Sequence, residues 1–183
     1  MKTYISLFLI FVMLLSLSAC SKAVPDLSRE EVLALPLDID FSYTKNVDAQ
    51  WLPLEEPSEL SLLTADLHRG LSGTEPTAIE VFEPINEDLS YYYDIDPVEG
   101  SSTSMMQAWH GVDHFFLLSK IPEGASTTEM EADLQAYRPC EWCPGEGPEG
   151  NTVLVRGNYI LLVIAEPAVK EVIVRNFKAL VQG

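Results

Sequence analysis

Basic residues are scarce in this 183-residue chain: 11 Lys+Arg stand against 28 Asp+Glu, a net charge of −17. That balance repels phosphate backbones and anionic lipid head groups, so nucleic acid and anionic head groups are excluded as partners. Cysteine is scarcer still. Only Cys140 and Cys143 lie beyond the first twenty residues. Recognisable catalytic patterns are missing as well. No G-x-S-x-G elbow, P-loop, Rossmann glycine pattern or HExxH is present, and the EF-hand spacing D-x-D-x-D-G is absent. No internal repeat with matched residues occurs, and no cofactor is implied.

What is present begins at the N-terminus. Lys2 supplies a short basic region, residues 4–17 form an almost unbroken apolar run, and small residues lead to Cys20. The run is shorter than the ~20 residues a membrane-spanning helix needs, so it reads as a secretory signal. Its end, Leu17-Ser18-Ala19-Cys20, resembles the lipobox of bacterial lipoproteins. The resemblance covers only about the first twenty residues. It implies cleavage before Cys20, a diacylglycerol on the Cys20 thiol, and a position in the cell envelope outside the cytoplasmic membrane. With Ser at position 21 rather than Asp, it implies the outer membrane where the host has one. Acyl chains at ~0.8 kcal/mol per buried methylene make a firm anchor without a spanning helix. The expected organisation is a signal peptide over 1–19, a lipidated tether over 20–27 and one globular domain over 28–183. Removing residues 1–19 takes away Lys2 and no acid, so the net charge becomes −18.

The rest of the chain reads as α+β: an antiparallel sheet of hairpins with about three helices packed on one face. Ser28 and Glu31 make a capping box for one or two helical turns that Pro36 ends. Residues 37–44 alternate Leu37, Ile39, Phe41 and Tyr43 with polar residues, the cleanest strand pattern in the chain. Leu60, Leu63 and Leu67 have helical spacing, with Gly70 beyond them as the expected stop and His68 expected at the surface. A strand is expected over 77–85, stopped by Pro84. The alternation of Leu89, Tyr91, Tyr93 and Ile95 predicts another. A hairpin is expected over 104–121, turning at Gly111. A helix capped by Ser126 and Glu129 follows, with Met130, Leu134 and Tyr137 on one face. A hairpin turning at Arg156-Gly157-Asn158 comes next. The last helix starts at Pro167, and Val169, Val172, Ile173, Phe177 and Leu180 form its apolar stripe.

Cys140 and Cys143, in "RPCEWCPGEGPEG", are spaced C-x-x-C. Three chemistries use that spacing. A redox pair wants the first cysteine at a helix N-terminus. Here the expected helix precedes the pair, its negative end faces the thiols, and Glu141, Glu146 and Glu149 oppose a thiolate. A zinc site would add His110 and His114, giving the ligand set of a closed site; it requires a three-residue turn that brings the histidines opposite each other. A structural disulfide suits an oxidising compartment in which a lipid occupies Cys20. It would pin a Gly/Pro turn and hold Trp142. The disulfide is the reading these surroundings favour.

Asp38 and Asp40, and Asp94 and Asp96, read as solvated sides of strands rather than calcium ligands. Tyr91 to Tyr93, with Trp109, offer aromatic surface for a binding face if they are not core. The sequence therefore predicts a lipid-anchored envelope protein with a non-enzymatic binding or scaffold domain. Its partners would be the membrane, through Cys20, and an envelope protein. The alternatives are a metal-binding protein using His110, His114, Cys140 and Cys143, and a thiol-disulfide protein using Cys140 and Cys143.

Overall fold

The local signals that open the domain are realised as hydrogen bonds. Ser28 Oγ accepts from the Glu31 N–H at 3.2 Å, and Glu31 Oε2 accepts from the Ser28 N–H at 2.7 Å. This box starts helix α1, Arg29–Leu33. The backbone bond from Ser28 holds the Glu31 carboxyl below its usual range. The computed structural model describes residues 25–71, 78–107, 115–137 and 151–181.

Strand β1, Asp40–Val47, follows, then β2, Gln50–Pro53, and helix α2, Glu59–Asp66. Next come β3, Ala78–Glu83, helix α3, Asn86–Tyr93, β4, Ser102–Gln107, and β5, Phe115–Lys120. Helix α4, Thr128–Ala136, β6, Thr152–Arg156, β7, Tyr159–Ile164, and helix α5, Pro167–Leu180, complete the order. The strands form one seven-stranded sheet in the order β2-β1-β3-β4-β5-β7-β6. The fold is α+β, as the sequence predicts, but the sheet is mixed rather than antiparallel. β1 runs parallel to β3, with Phe41 opposite Ile79. Because β2 and α2 intervene, the chain returns to the starting end of β1 before β3 begins.

Helices also cover both faces of the sheet, not one, and the described residues hold five rather than about three. On the first face α1, α2 and α5 close over Met106, Phe116, Leu118, Leu161 and Val163. On the second, α3 and α4 close over Met105, Phe115, Leu117, Ile160 and Leu162. The cause lies in β5 and β7. Their runs "FFLLSK" and "YILLVI" are apolar without alternation, so each strand presents hydrophobic side chains to both sides.

The α3 segment corrects the strand expected over Leu89–Ile95. Leu89 and Tyr93 are four apart, a spacing that fits a helix as well as a strand. Local chemistry decides: Asp88 Oδ2 accepts from the Ile85 N–H at 3.1 Å at the helix start. At the end Asp94 takes a left-handed conformation, φ 53°, and the Ile95 N–H donates to Leu89 O at 3.2 Å. The cap expected from Ser126 and Glu129 is also displaced. Thr127 occupies the cap position of α4, and its hydroxyl bonds Glu131 instead.

The hairpin joining β1 and β2 has no sequence signature of the usual kind. Val47 pairs with Gln50, and both central residues have positive φ, Asp48 at 51° and Ala49 at 62°. This is type I′ geometry, in which a left-handed L-residue costs about 1 kcal/mol. Ala49→Gly is expected to raise stability by about 0.5–1 kcal/mol, less than the full strain because glycine is freer when unfolded. A shift of the urea midpoint to higher concentration with an unchanged slope checks this.

Candidate functional site

The residues that the sequence singles out for chemistry, Cys20, His110, His114, Cys140 and Cys143, lie outside the described residues, as do Trp109 and Trp142. Among the described residues no group of three or more His, Cys, Asp or Glu is placed to hold a metal ion. Asp94 ends α3 in its left-handed position. The Asp96 N–H donates to Asp133 Oδ2 at 3.0 Å, tying that loop to α4. Two other features remain, one inside the domain and one on its surface.

The inner feature is a polar seam between α2 and the sheet. Ser61 Oγ donates to Glu83 Oε1 at 2.6 Å, with Ser58 Oγ bonded to the same oxygen. Thr64 Oγ1 lies 2.9 Å from Ser104 Oγ and 3.0 Å from Leu60 O. One turn on, His68 Nδ1 is 2.8 Å from Thr64 O. A carbonyl oxygen only accepts, so the Nδ1 of His68 carries a proton. The ring lies between Phe41 and Phe116, at centroid distances of 5.6 and 5.3 Å. His68 is thus buried, contrary to the surface position expected for it. It follows α2 on the flank of Thr64, which faces the sheet. Thr64, Ser104 and His68 are shut under the helix. The seam is a chain of buried, hydrogen-bonded polar groups that fixes α2 on β4.

The outer feature is the layer formed by α3, α4 and their links. Residues 86–101 hold Glu87, Asp88, Asp94, Asp96 and Glu99. Residues 121–137 hold Glu123, Glu129, Glu131 and Asp133. Neither stretch has a Lys, Arg or His. The basic side chains of the described residues lie on the opposite side. Arg29 donates to Leu180 O at 2.6 Å, Arg69 pairs with Asp66, and Arg175 bonds Asn176. Lys45, Lys120 and Arg156 share strand faces with Phe41, Leu118 and Leu154, which pack in the first-face core. Among the described residues the sheet therefore separates an all-acidic layer from one of mixed sign.

Two large aromatics stand exposed in the acidic layer. Tyr91 is 82% and Tyr92 69% accessible, and their rings meet edge to face at 4.8 Å. Tyr93 turns inward against Phe115 and Tyr137. The aromatic surface suggested for Tyr91 to Tyr93 is thus reduced to two residues, set by the helix rather than by strand alternation. Burial, and secondarily the charge of Asp88, raises the Tyr93 phenol above its ordinary value of 10.0. The fold then favours the neutral form. This contribution is complete below about pH 10 and is lost as pH rises through the folded value. Tyr93→Phe is expected to flatten the alkaline limb of the stability–pH curve, as measured by urea unfolding between pH 8 and 11.

No protein-family model, curated protein or solved structure matches this chain. Residue roles here therefore rest on the chain's own chemistry.

Proposed function

We propose that this chain is a lipid-anchored protein of the cell envelope whose domain binds a partner and catalyses no reaction. The carrying observation is Leu17-Ser18-Ala19-Cys20 directly behind the apolar run. Among the described residues no helix is long and apolar enough to cross a membrane; the proposed attachment is the lipid on Cys20. The buried state of the Ser61–Ser104–His68 seam and the exposed state of Tyr91 and Tyr92 both favour binding over catalysis.

Anchoring also orients the domain. Four residues separate Cys20 from Pro25, five Cα steps with a reach of at most about 18 Å. The chain then enters α1, which packs with α2 and α5 in the first-face core. The α1–α5 side lies next to the membrane in this arrangement, and the acidic layer points away from it. Crosslinking and pull-down from native envelopes, with Cys20 intact, test the reading. The wild-type chain is expected to sediment with membranes and form a discrete adduct, and Cys20→Ser to lose the membrane association. A Cys20→Ser chain that fractionates like the wild type would remove the anchor from the account.

A further inference from the structure

We propose that the surface groove beside α3 docks an extended Lys- or Arg-bearing segment of a partner protein. This rests on the binding reading above and names the kind of partner. The groove, of about 570 Å³, is shallow and broadly open to solvent, and is lined by Asn86, Glu87, Ser90, Tyr91 and Pro97. Its volume suits a few side chains of a segment rather than the face of a domain. Tyr91 and Pro97 supply apolar wall, Glu87 a carboxylate, and the Asn86 amide and Ser90 hydroxyl can pair with a peptide backbone.

Charge identifies the occupant. Among the described residues the groove lies in a layer of nine acids without a base; Asp96 precedes the lining Pro97, and its N–H donates to Asp133. A second copy of this chain, itself at −17, would bring acid against acid. A cationic side chain meets both attractions at once: the carboxylates, and the quadrupole of the tyrosine rings, which draws an ammonium or guanidinium within about 6 Å of the ring centre. Tyr91 and Tyr92 are also the most exposed of the large hydrophobic side chains among the described residues. Tyrosine in such a position is characteristic of interface anchors.

The test uses the full chain in detergent micelles and a fluorescein-labelled ten-residue peptide of alternating lysine and glycine, with an alternating glutamate–glycine peptide as control. Anisotropy at about 0.15 M salt is the readout, where long-range charge effects are screened. The lysine peptide is expected to bind and the glutamate peptide not to. The Tyr91→Ala/Tyr92→Ala variant is expected to weaken binding at least tenfold, and Glu87→Gln several-fold. Glu123→Gln/Glu129→Gln removes two exposed acids of the same layer that do not line the groove, and is expected to change affinity less than twofold. Circular dichroism of each variant should match the wild type, since all these side chains are exposed. Equal weakening by the Glu123/Glu129 variant, or no weakening by the tyrosine variant, overturns the assignment, as does failure of the lysine peptide to bind. Envelope crosslinking separates this result from the wider reading. If the tyrosine variant keeps the wild-type adduct, the groove is wrong and the binding role stands. If the wild-type chain forms no adduct, both fall.

Discussion

Phe115→Ala and Phe116→Ala are each expected to destabilise the domain by about 3–5 kcal/mol, in near-equal measure. The two residues are neighbours on β5 and point to opposite faces. Phe116, fully buried, packs against His68 under α2. Phe115, 2% accessible, packs against Tyr137 and Tyr93 under the other helical layer, at 4.8 and 6.1 Å. A sheet covered on one face would lose that much at one position and little at the other. Two covered faces lose it at both. A domain of this size is stable by only about 5–15 kcal/mol, so either variant approaches the threshold and the double variant is expected not to fold. Urea unfolding of the single variants checks this; a cost below 1 kcal/mol at either position would contradict the three-layer arrangement.

The second large effect is expected at Asn176, a fully buried amide that joins α5 to the turn after α2. Its Nδ2 donates to Leu67 O and Arg69 O, both at 2.9 Å. Its Oδ1 accepts from Arg175 Nε at 3.0 Å and Nη2 at 2.9 Å. Every hydrogen-bonding position of this side chain is used, so its replacement strips partners from two carbonyls and a guanidinium that burial already makes less basic than usual. Asn176→Leu fills similar space without these bonds and is expected to cost about 2–4 kcal/mol. If Asn176→Ala costs nearly the same, lost hydrogen bonds rather than a cavity are the cause. If leucine restores wild-type stability, the amide is dispensable.

Much of the architecture is legible along the chain, and its failures have physical causes. The capping box at Ser28, the stripe on α5, the hairpin at Gly157 and the alternation of Ile39, Phe41 and Tyr43 are local signals, and the fold keeps them. The parallel pairing of β1 and β3 depends on where β2 and α2 carry the chain, which no local pattern encodes. β2 escapes notice because its turn is Asp48-Ala49, with alanine where glycine would mark it. The α3 segment satisfies period two and period four together, and Asp88 and Asp94 break the tie. Burial of both sheet faces was readable in the unalternating runs of β5 and β7. The acid-only stretches 86–101 and 121–137 are plain in the sequence, but only the fold shows that they form one layer, with the bases of the described residues on the other side. His68 is a different case: a lone histidine after an amphipathic helix carries no sign of the Phe41–Phe116 cage that receives it.

The proposed arrangement sets a tether at one side of the domain against an acidic, tyrosine-bearing layer at the other. Its first step is chemical and directly measurable. The chain isolated from envelopes in detergent is digested, and the mass of its N-terminal peptide is determined. The account predicts a peptide that begins at Cys20 and carries a diacylglyceryl group on its thiol. A peptide that begins at Met1, or one with a free Cys20 thiol, would contradict it.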